Sequence, residues 1–255
     1  MRVLLRVEYK GCGYCGWQRQ KNGLSVQEVL ANAVREVTGR ASVMHGSGRT
    51  DAGVHAIAQA VHFDTDTKIP LDKLPIAINA HLPADVRVLS AIKVANGFNA
   101  RFDAVSKTYL YKLYCAPVSS PLREGLCAYV PKKPDVTKMR LAAAYILGEH
   151  DFKCFQAAGG HVKTTVRTIY SFDIREEGAE IHFEVTGNGF LYNMVRIMVG
   201  TLYYVGIGKL SPEDVRDIIE SGDRTRAGKT MPPEGLYLKR VVYPFEREGD
   251  LISPK

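Results

Sequence analysis

"VRTIYSFDIREEGAEIHFEVTG", residues 166–187, is two alternating runs joined by a turn around Glu177 and Gly178. Period-two alternation sends successive side chains to opposite faces, so each run reads as a strand and the pair as a hairpin. Strands joined by a tight turn pair antiparallel, and that decides the class of sheet. Near the start, "RVLLRVEYK" (residues 2–10) places Val3, Leu5, Val7 and Tyr9 on one face and mostly polar residues on the other. Such alternation predicts a half-buried strand of an antiparallel sheet.

Helical spacing separates these strands. "SVQEVLANAVREVTG" opens with Ser25 and Glu28 at capping-box distance, repeats apolar residues at Val26, Val29, Leu30, Ala33, Val34 and Val37, and stops at Gly39. Further strands are expected in residues 58–66 and 86–94, with a short helix near residues 71–83 between them. In the second half, "SKTYLYKLYC" (106–115) predicts a strand and "VTKMRLAAAYILG" (136–148) a helix, with Asp135 near its start and Gly148 at its end. One more helix is expected from about Tyr192, and another capped by Ser211 with Pro212 just inside it. Both halves thus run strand, helix, paired strands, helix. The expectation is an α+β protein of two related ferredoxin-like or RRM-like halves, residues 1–103 and 104–255, each with helices packed on one face of an antiparallel sheet. RNA-binding modules often share that layout.

The chain has 255 residues, 45% hydrophobic and 24% charged, as expected of a globular fold and unlike a disordered tail. No stretch reaches the roughly 18 uninterrupted apolar residues that a membrane helix needs. "MRVLLRVEYK" alternates charge too early for a signal peptide, so a cytoplasmic protein without membrane attachment is expected. Cys12, Cys15, Cys115, Cys127 and Cys154 are odd in number and scattered, which suits reduced thiols. The net charge of +7 is concentrated: residues 1–50 and 101–140 each hold 8 basic and 3 acidic side chains. Two basic patches suit a polyanion laid across the molecule, because phosphate contacts supply most of the affinity for nucleic acid; solvated surface charge is the plainer alternative.

Several motifs do not survive their context. "GCGYCG" (11–16) satisfies G-x-G-x-x-G, but the helix opens only at Ser25, whereas a dinucleotide pyrophosphate needs a helix N-terminus directly after the glycines. Cys12 and Cys15 form one C-x-x-C with no second pair at zinc-ribbon spacing, so no metal is expected. Ser47 lacks the glycines of a nucleophile elbow, and no H-E-x-x-H occurs; His55 is expected to cap or pack. "GSGRTDAGVHA" (46–56) is different, because it sets Arg49 and the single carboxylate Asp51 among glycines. An aspartate beside Gly53 is commonly an Asx-turn residue. However, "GFLYNMVRIMVGTLYYVG" (189–206) is apolar almost all round with Arg196 as its only charge, which predicts a buried helix and a guanidinium in need of a partner. Asp51 is one candidate for that partner.

At these residues the chain resembles the tRNA pseudouridine synthase A family. The blocks "YKGCGYCGWQRQ", "GSGRTDAGVHA", "NARFDAVSKTYLY", "HDFKCFQAAG", "VRTI", "GNGFLYNMVRIMVG" and "MPPEGLYL" follow in order over nearly the whole chain. The resemblance implies the pseudouridine synthase fold and a homodimer. It implies a tRNA laid across both subunits and uridines 38, 39 and 40 of the anticodon arm as targets. It departs at Cys12 and Cys15, where the family tolerates other small or polar residues, and at Tyr129, near a common tryptophan.

The resemblance makes Asp51 the catalytic residue and Tyr109 the active-site tyrosine, in preference to Tyr111 on the same strand face. It implies that Arg49 supports the space vacated by an extruded uridine, that Arg196 keeps Asp51 ionised, and that Phe190 and Leu236 line an apolar pocket. Arg19, Lys21, Arg101, Lys107 and Lys112 are the expected phosphate contacts. Converting uridine to pseudouridine exchanges no electrons and transfers no group, so no cofactor is expected. A carboxylate can attack the anomeric carbon, add to the uracil ring or take a sugar proton, and all three routes remain open.

Overall fold

The computed structural model describes residues 1–160 and 162–246. Its chain forms two compact units, one of residues 1–107 together with the segment from Leu238 onward, the other of Thr108–Tyr237.

In the first unit, β1 (Arg2–Tyr9) runs antiparallel between β3 (His55–Asp64) and β4 (Val86–Val94), with Leu5 opposite Val61 on one side and Ala91 on the other. Val3, Leu5, Val7 and Tyr9 are buried, as the alternation requires, but so is Leu4. The strand is therefore more than half-buried: it sits mid-sheet, where both faces around Leu4 are covered. Helix α1 (Val26–Thr38) follows its sequence signals, since Ser25 Oγ accepts the Glu28 N–H at 3.3 Å and Gly39 closes it at φ 71°. Its stripe of Val26, Leu30, Ala33 and Val34 is buried. At about 1.5–3 kcal/mol for each fully buried large aliphatic side chain, that stripe outweighs the cap, worth about 1 kcal/mol.

The two-residue strand β2 (His45–Gly46) pairs with β3, His45 opposite His62. Helix α2 (Leu74–Asn79) is fixed to β4 by Asn79, whose side chain donates to Val88 O at 2.9 Å and accepts the Val88 N–H at 2.8 Å.

The second unit opens along β5 (Ser106–Cys115) and continues through β6 (Ala128–Val130), α3 (Val136–Ala143) and β7 (Gly148–Asp151). The hairpin of β8 (Val166–Glu177) and β9 (Glu180–Gly187) follows, turning at Gly178 with φ 63°. Helices α4 (Met194–Gly206) and α5 (Asp214–Ser221) come next, and β10 (Leu236–Val242) is last. The strand order is β5-β9-β8-β7. One pairing departs from the antiparallel expectation: β6 runs parallel to β5, Leu113 opposite Ala128, after a long connection that returns the chain in the same direction. The helix expected over residues 136–148 stops at Ala143 and finishes as a 3₁₀ turn through Ile146.

β10 lies beside β3. Val105 N–H donates to Val242 O at 2.8 Å, and the Tyr243 hydroxyl donates to Ala100 O at 2.7 Å, so the end of β10 and the residue after it are bonded into the first unit. The chain leaves the first unit after Lys107 and returns to it after Tyr237.

One buried base sets an acid limit on the first unit. His62 is 3% exposed, its Nδ1 accepts the Ala100 N–H at 3.1 Å, and its ring stacks on His45 at 4.7 Å. Burial, and then the neighbouring His45, push its pKa down to about 4. Below the ordinary histidine value near 6.5 the unfolded chain takes up a proton that folded His62 refuses, so stability falls as pH drops. From pH 7 to 5 the loss from this group is on the order of 1–2 kcal/mol. Urea unfolding at both pH values is expected to show a larger loss for the wild type than for His62→Gln, in which the amide oxygen can still accept from Ala100; equal losses would remove His62 as the cause.

Candidate active site

The segment Gly46–Ala56 runs from β2 into β3, and its carbonyls are accounted for almost one by one. Ser47 O accepts from Lys107 Nζ at 2.6 Å and Gly48 O from Gln59 Nε2 at 2.9 Å. Thr50 O accepts the Trp17 N–H at 3.0 Å, and Asp51 O the Val54 N–H at 3.1 Å. The side chains between are anchored too. Ser47 Oγ donates to Gln59 Oε1 at 2.5 Å, and Thr50 Oγ1 shares a 2.7 Å hydrogen bond with the Tyr9 hydroxyl. Ser47, Thr50 and Gln59 are buried, while Arg49 is exposed and Asp51 half-buried. A loop whose backbone is satisfied from within can hold a carboxylate in one place.

The glycines that mimicked a dinucleotide fingerprint have another purpose. A Cβ on Gly11 would lie 2.0 Å from Val54 O, and one on Gly16 would lie 2.6 Å from Thr50 O. Gly16 also has φ 109°, where L side chains are strained. The "GCGYCG" stretch therefore backs the Asp51 loop at backbone contact distance. His55 belongs to this support, since its Nδ1 accepts the Gly11 N–H at 3.0 Å in a buried position, as a packing histidine should. Cys12 is exposed and Cys15 half-buried; all five cysteines are thiols. Among the described residues no group of three or more His, Cys, Asp or Glu could hold a metal ion.

In the second unit Tyr109 and Phe190 meet edge to face, 5.0 Å between centroids. Tyr109 is 9% exposed, Leu236 is buried and Phe190 half-buried. Alternation could not separate Tyr109 from Tyr111, but their surroundings do. The Tyr111 ring is fully buried, its hydroxyl donates to Pro232 O at 2.8 Å, and burial holds its pKa well above the usual phenol value. Tyr111 is thus the core aromatic of the pair.

Helix α4 is buried along most of its length, the Arg196 guanidinium on it is half-buried, and two neutral acceptors are among its partners. Nε donates to Met231 O at 2.7 Å and Nη1 to Asn193 Oδ1 at 2.6 Å. Asn193 stands at φ 60°, a left-handed conformation that asparagine tolerates, and its side chain serves Arg196 instead of capping the helix. The Met231 carbonyl is held by backbone packing: a Cβ on Gly200 would lie 1.8 Å from Lys229 O, and one on Gly228 would lie 2.4 Å from Gly200 C. Thr201 Oγ1 accepts the Gly228 N–H at 2.8 Å.

The five basic candidates diverge. Arg19, Lys21 and Arg101 are exposed; Arg19 makes a 3.3 Å surface pair with Glu28, which binding to phosphate can displace at little cost. Lys112 Nζ lies 5.0 Å from the centre of the Tyr237 ring. Lys107 is half-buried and bonded to the loop carbonyl of Ser47, which is a supporting position. Sequence reasoning also missed Tyr9, Trp17 and Gln59. Gln59 left a trace, because it stands in register with Val61 and Phe63 on a face that is otherwise apolar.

The family described as tRNA pseudouridine synthase matches residues 6–103 and 142–244. A protein named tRNA pseudouridine synthase A from Thermoanaerobacter sp. (strain X514) is 46% identical over 241 residues, 94% of this chain and 99% of its own length. Another of that name, from Geobacter sp. (strain M21), is 46% identical over 243 residues, 95% of this chain and 98% of its own.

Gly16→Ala forces a Cβ against Thr50 O beside Asp51, so the loop must move. Its melting temperature is expected to fall by several degrees, with product formation falling further than the loss of folded protein explains. A variant with wild-type stability and turnover would show that the loop does not depend on this approach.

Proposed function

Because the chain belongs to the tRNA pseudouridine synthase family, we propose that it isomerises uridines 38, 39 and 40 in the anticodon arm of tRNA, with Asp51 as the catalytic carboxylate. It is an isomerase acting on uridine in tRNA. What carries the assignment to Asp51 is the loop: one carboxylate, half-buried, on a backbone whose carbonyls are satisfied by neighbouring groups.

The reaction breaks the bond from base nitrogen to sugar and rejoins the same base through a ring carbon, whose proton is then lost while the freed nitrogen gains one. Attack on the anomeric carbon, addition to the ring and removal of a sugar proton all need Asp51 ionised. A nearby cation favours that form, and Arg196, oriented by Met231 O and Asn193 Oδ1, is the proposed source. The Tyr109 ring offers a stacking surface for the uracil, with Phe190 set against its edge and Leu236 completing the apolar lining. The Tyr109 hydroxyl assists loss of the ring-carbon proton. Turning a uridine out of a stacked stem costs a few kcal/mol, and exposed Arg49 is placed to support the space left behind. Arg19, Lys21 and Arg101 supply phosphate contacts, and a cytoplasmic homodimer is the proposed working form.

Incubating the protein with unmodified tRNA and mapping pseudouridine by carbodiimide tests activity and position together. Product at 38 to 40 is expected; modification elsewhere would refute the positional assignment, and release of free uracil would point to a base-removing hydrolase. Asp51→Asn is expected to lower turnover by about 10²–10⁴-fold or more while still binding tRNA. Tyr109→Phe is expected to slow turnover with tRNA affinity retained, and unchanged kinetics would deny its hydroxyl a role. Arg196→Met is expected to move the acid limb of the rate profile to higher pH, because a carboxylate without its cation holds a proton more readily.

A further inference from the structure

We propose that Lys107 and Gln59 are positioning residues for pseudouridine formation, acting through the carbonyls of Ser47 and Gly48; this rests on the assignment of Asp51 as the catalytic carboxylate. Gln59 lies on β3 with no exposed surface and engages the loop at two points, accepting from Ser47 Oγ at 2.5 Å and donating to Gly48 O at 2.9 Å. Lys107, on β5, reaches the next carbonyl back, Ser47 O, at 2.6 Å. Ser47 N–H also donates to Ala60 O at 2.8 Å. Every polar group of Ser47 is therefore engaged immediately before the segment that carries Arg49 and Asp51.

The Lys107 ammonium carries three donors, and one of them holds the Ser47 carbonyl in a half-buried place. Its charge-assisted bond is shorter and stiffer than a neutral one, and Gln59 grips the adjoining peptide from another strand. Together they fix two consecutive carbonyls, and so the plane of the peptide between Ser47 and Gly48 and the direction in which the chain leaves toward Asp51. Displacing a reacting group by about 1 Å can cost on the order of 100-fold in rate, so the effect belongs in turnover.

Lys107→Met and Gln59→Glu, the second of which sets an oxygen against Gly48 O in place of the donor, are compared with the wild type on unmodified tRNA. For each, kcat per folded molecule is expected to fall by about 10–100-fold, with KM, tRNA dissociation constant and salt dependence of binding unchanged within about twofold. Lys107→Arg, which keeps a cationic donor, is expected to recover most of the loss. If Lys107 instead contacts phosphate, Lys107→Met weakens tRNA binding, lowers the salt slope by about one and spares kcat, which overturns the proposal. It is also overturned if both variants keep wild-type kcat, or if activity tracks only the folded fraction seen in thermal melts. Should Lys107→Met not fold, Lys107→Arg and Gln59→Glu still decide it through the split between kcat and KM. A wild type that forms no pseudouridine would be a different failure, that of the underlying function.

Discussion

The constraint on which the site depends is that a buried peptide carbonyl must find a donor. Between β2 and β3 the chain cannot use sheet pairing, because it has to leave the ladder to present Arg49 and Asp51. Lys107, Gln59, Trp17 and Val54 supply the donors that a neighbouring strand would otherwise give. An unmade bond there costs about 1–3 kcal/mol, comparable to burying one large aliphatic side chain, so the loop conformation is fixed as firmly as a core position. The glycines behind it serve the same end from the other side, because only a residue without Cβ lets the 11–16 segment reach the backbone at Thr50 and Val54.

The second unit solves a related problem with charge. Arg196 stands on a helix whose other surfaces are largely buried, and its guanidinium is held by an amide oxygen and a backbone carbonyl. These two acceptors fix the direction of the guanidinium, and neither carries a charge. The left-handed Asn193 is part of that arrangement: the helix forgoes a side-chain cap, worth about 1 kcal/mol, and the arginine gains direction.

Elements governed by local rules were legible in the sequence. The capped helix after Ser25, the 166–187 hairpin and the strands at 86–94 and 106–115 stand where periodicity and turn chemistry put them. Elements governed by distant partners were not. β6 and β7 are too short to show a period, and β10 is defined by β3, far back in the chain. The same division holds at the site. Asp51 stood out as the single carboxylate of a glycine-rich segment and Arg196 as the only charge of an apolar helix, whereas the supporting roles of Lys107 and Gln59 depend on which carbonyls the folded chain brings near them. The choice of Tyr109 over Tyr111 rested on family likeness, since alternation treats both tyrosines alike.

The meeting of Gly200 with Gly228 and Lys229 also bears on how the chain can vary in length. Between Gly200 and Gly228 lie the end of α4, helix α5 and their loops, where added or lost residues can bulge outward. From Gly228 to Leu236 there is no slack, because one residue more or fewer before Met231 would slide it past the guanidinium it orients, and one after it would displace Gly235, where a Cβ would lie 2.6 Å from Tyr111 Cζ. Natural insertions and deletions should therefore gather on the upstream side of Gly228, leaving the eight residues that follow as a fixed-length ruler.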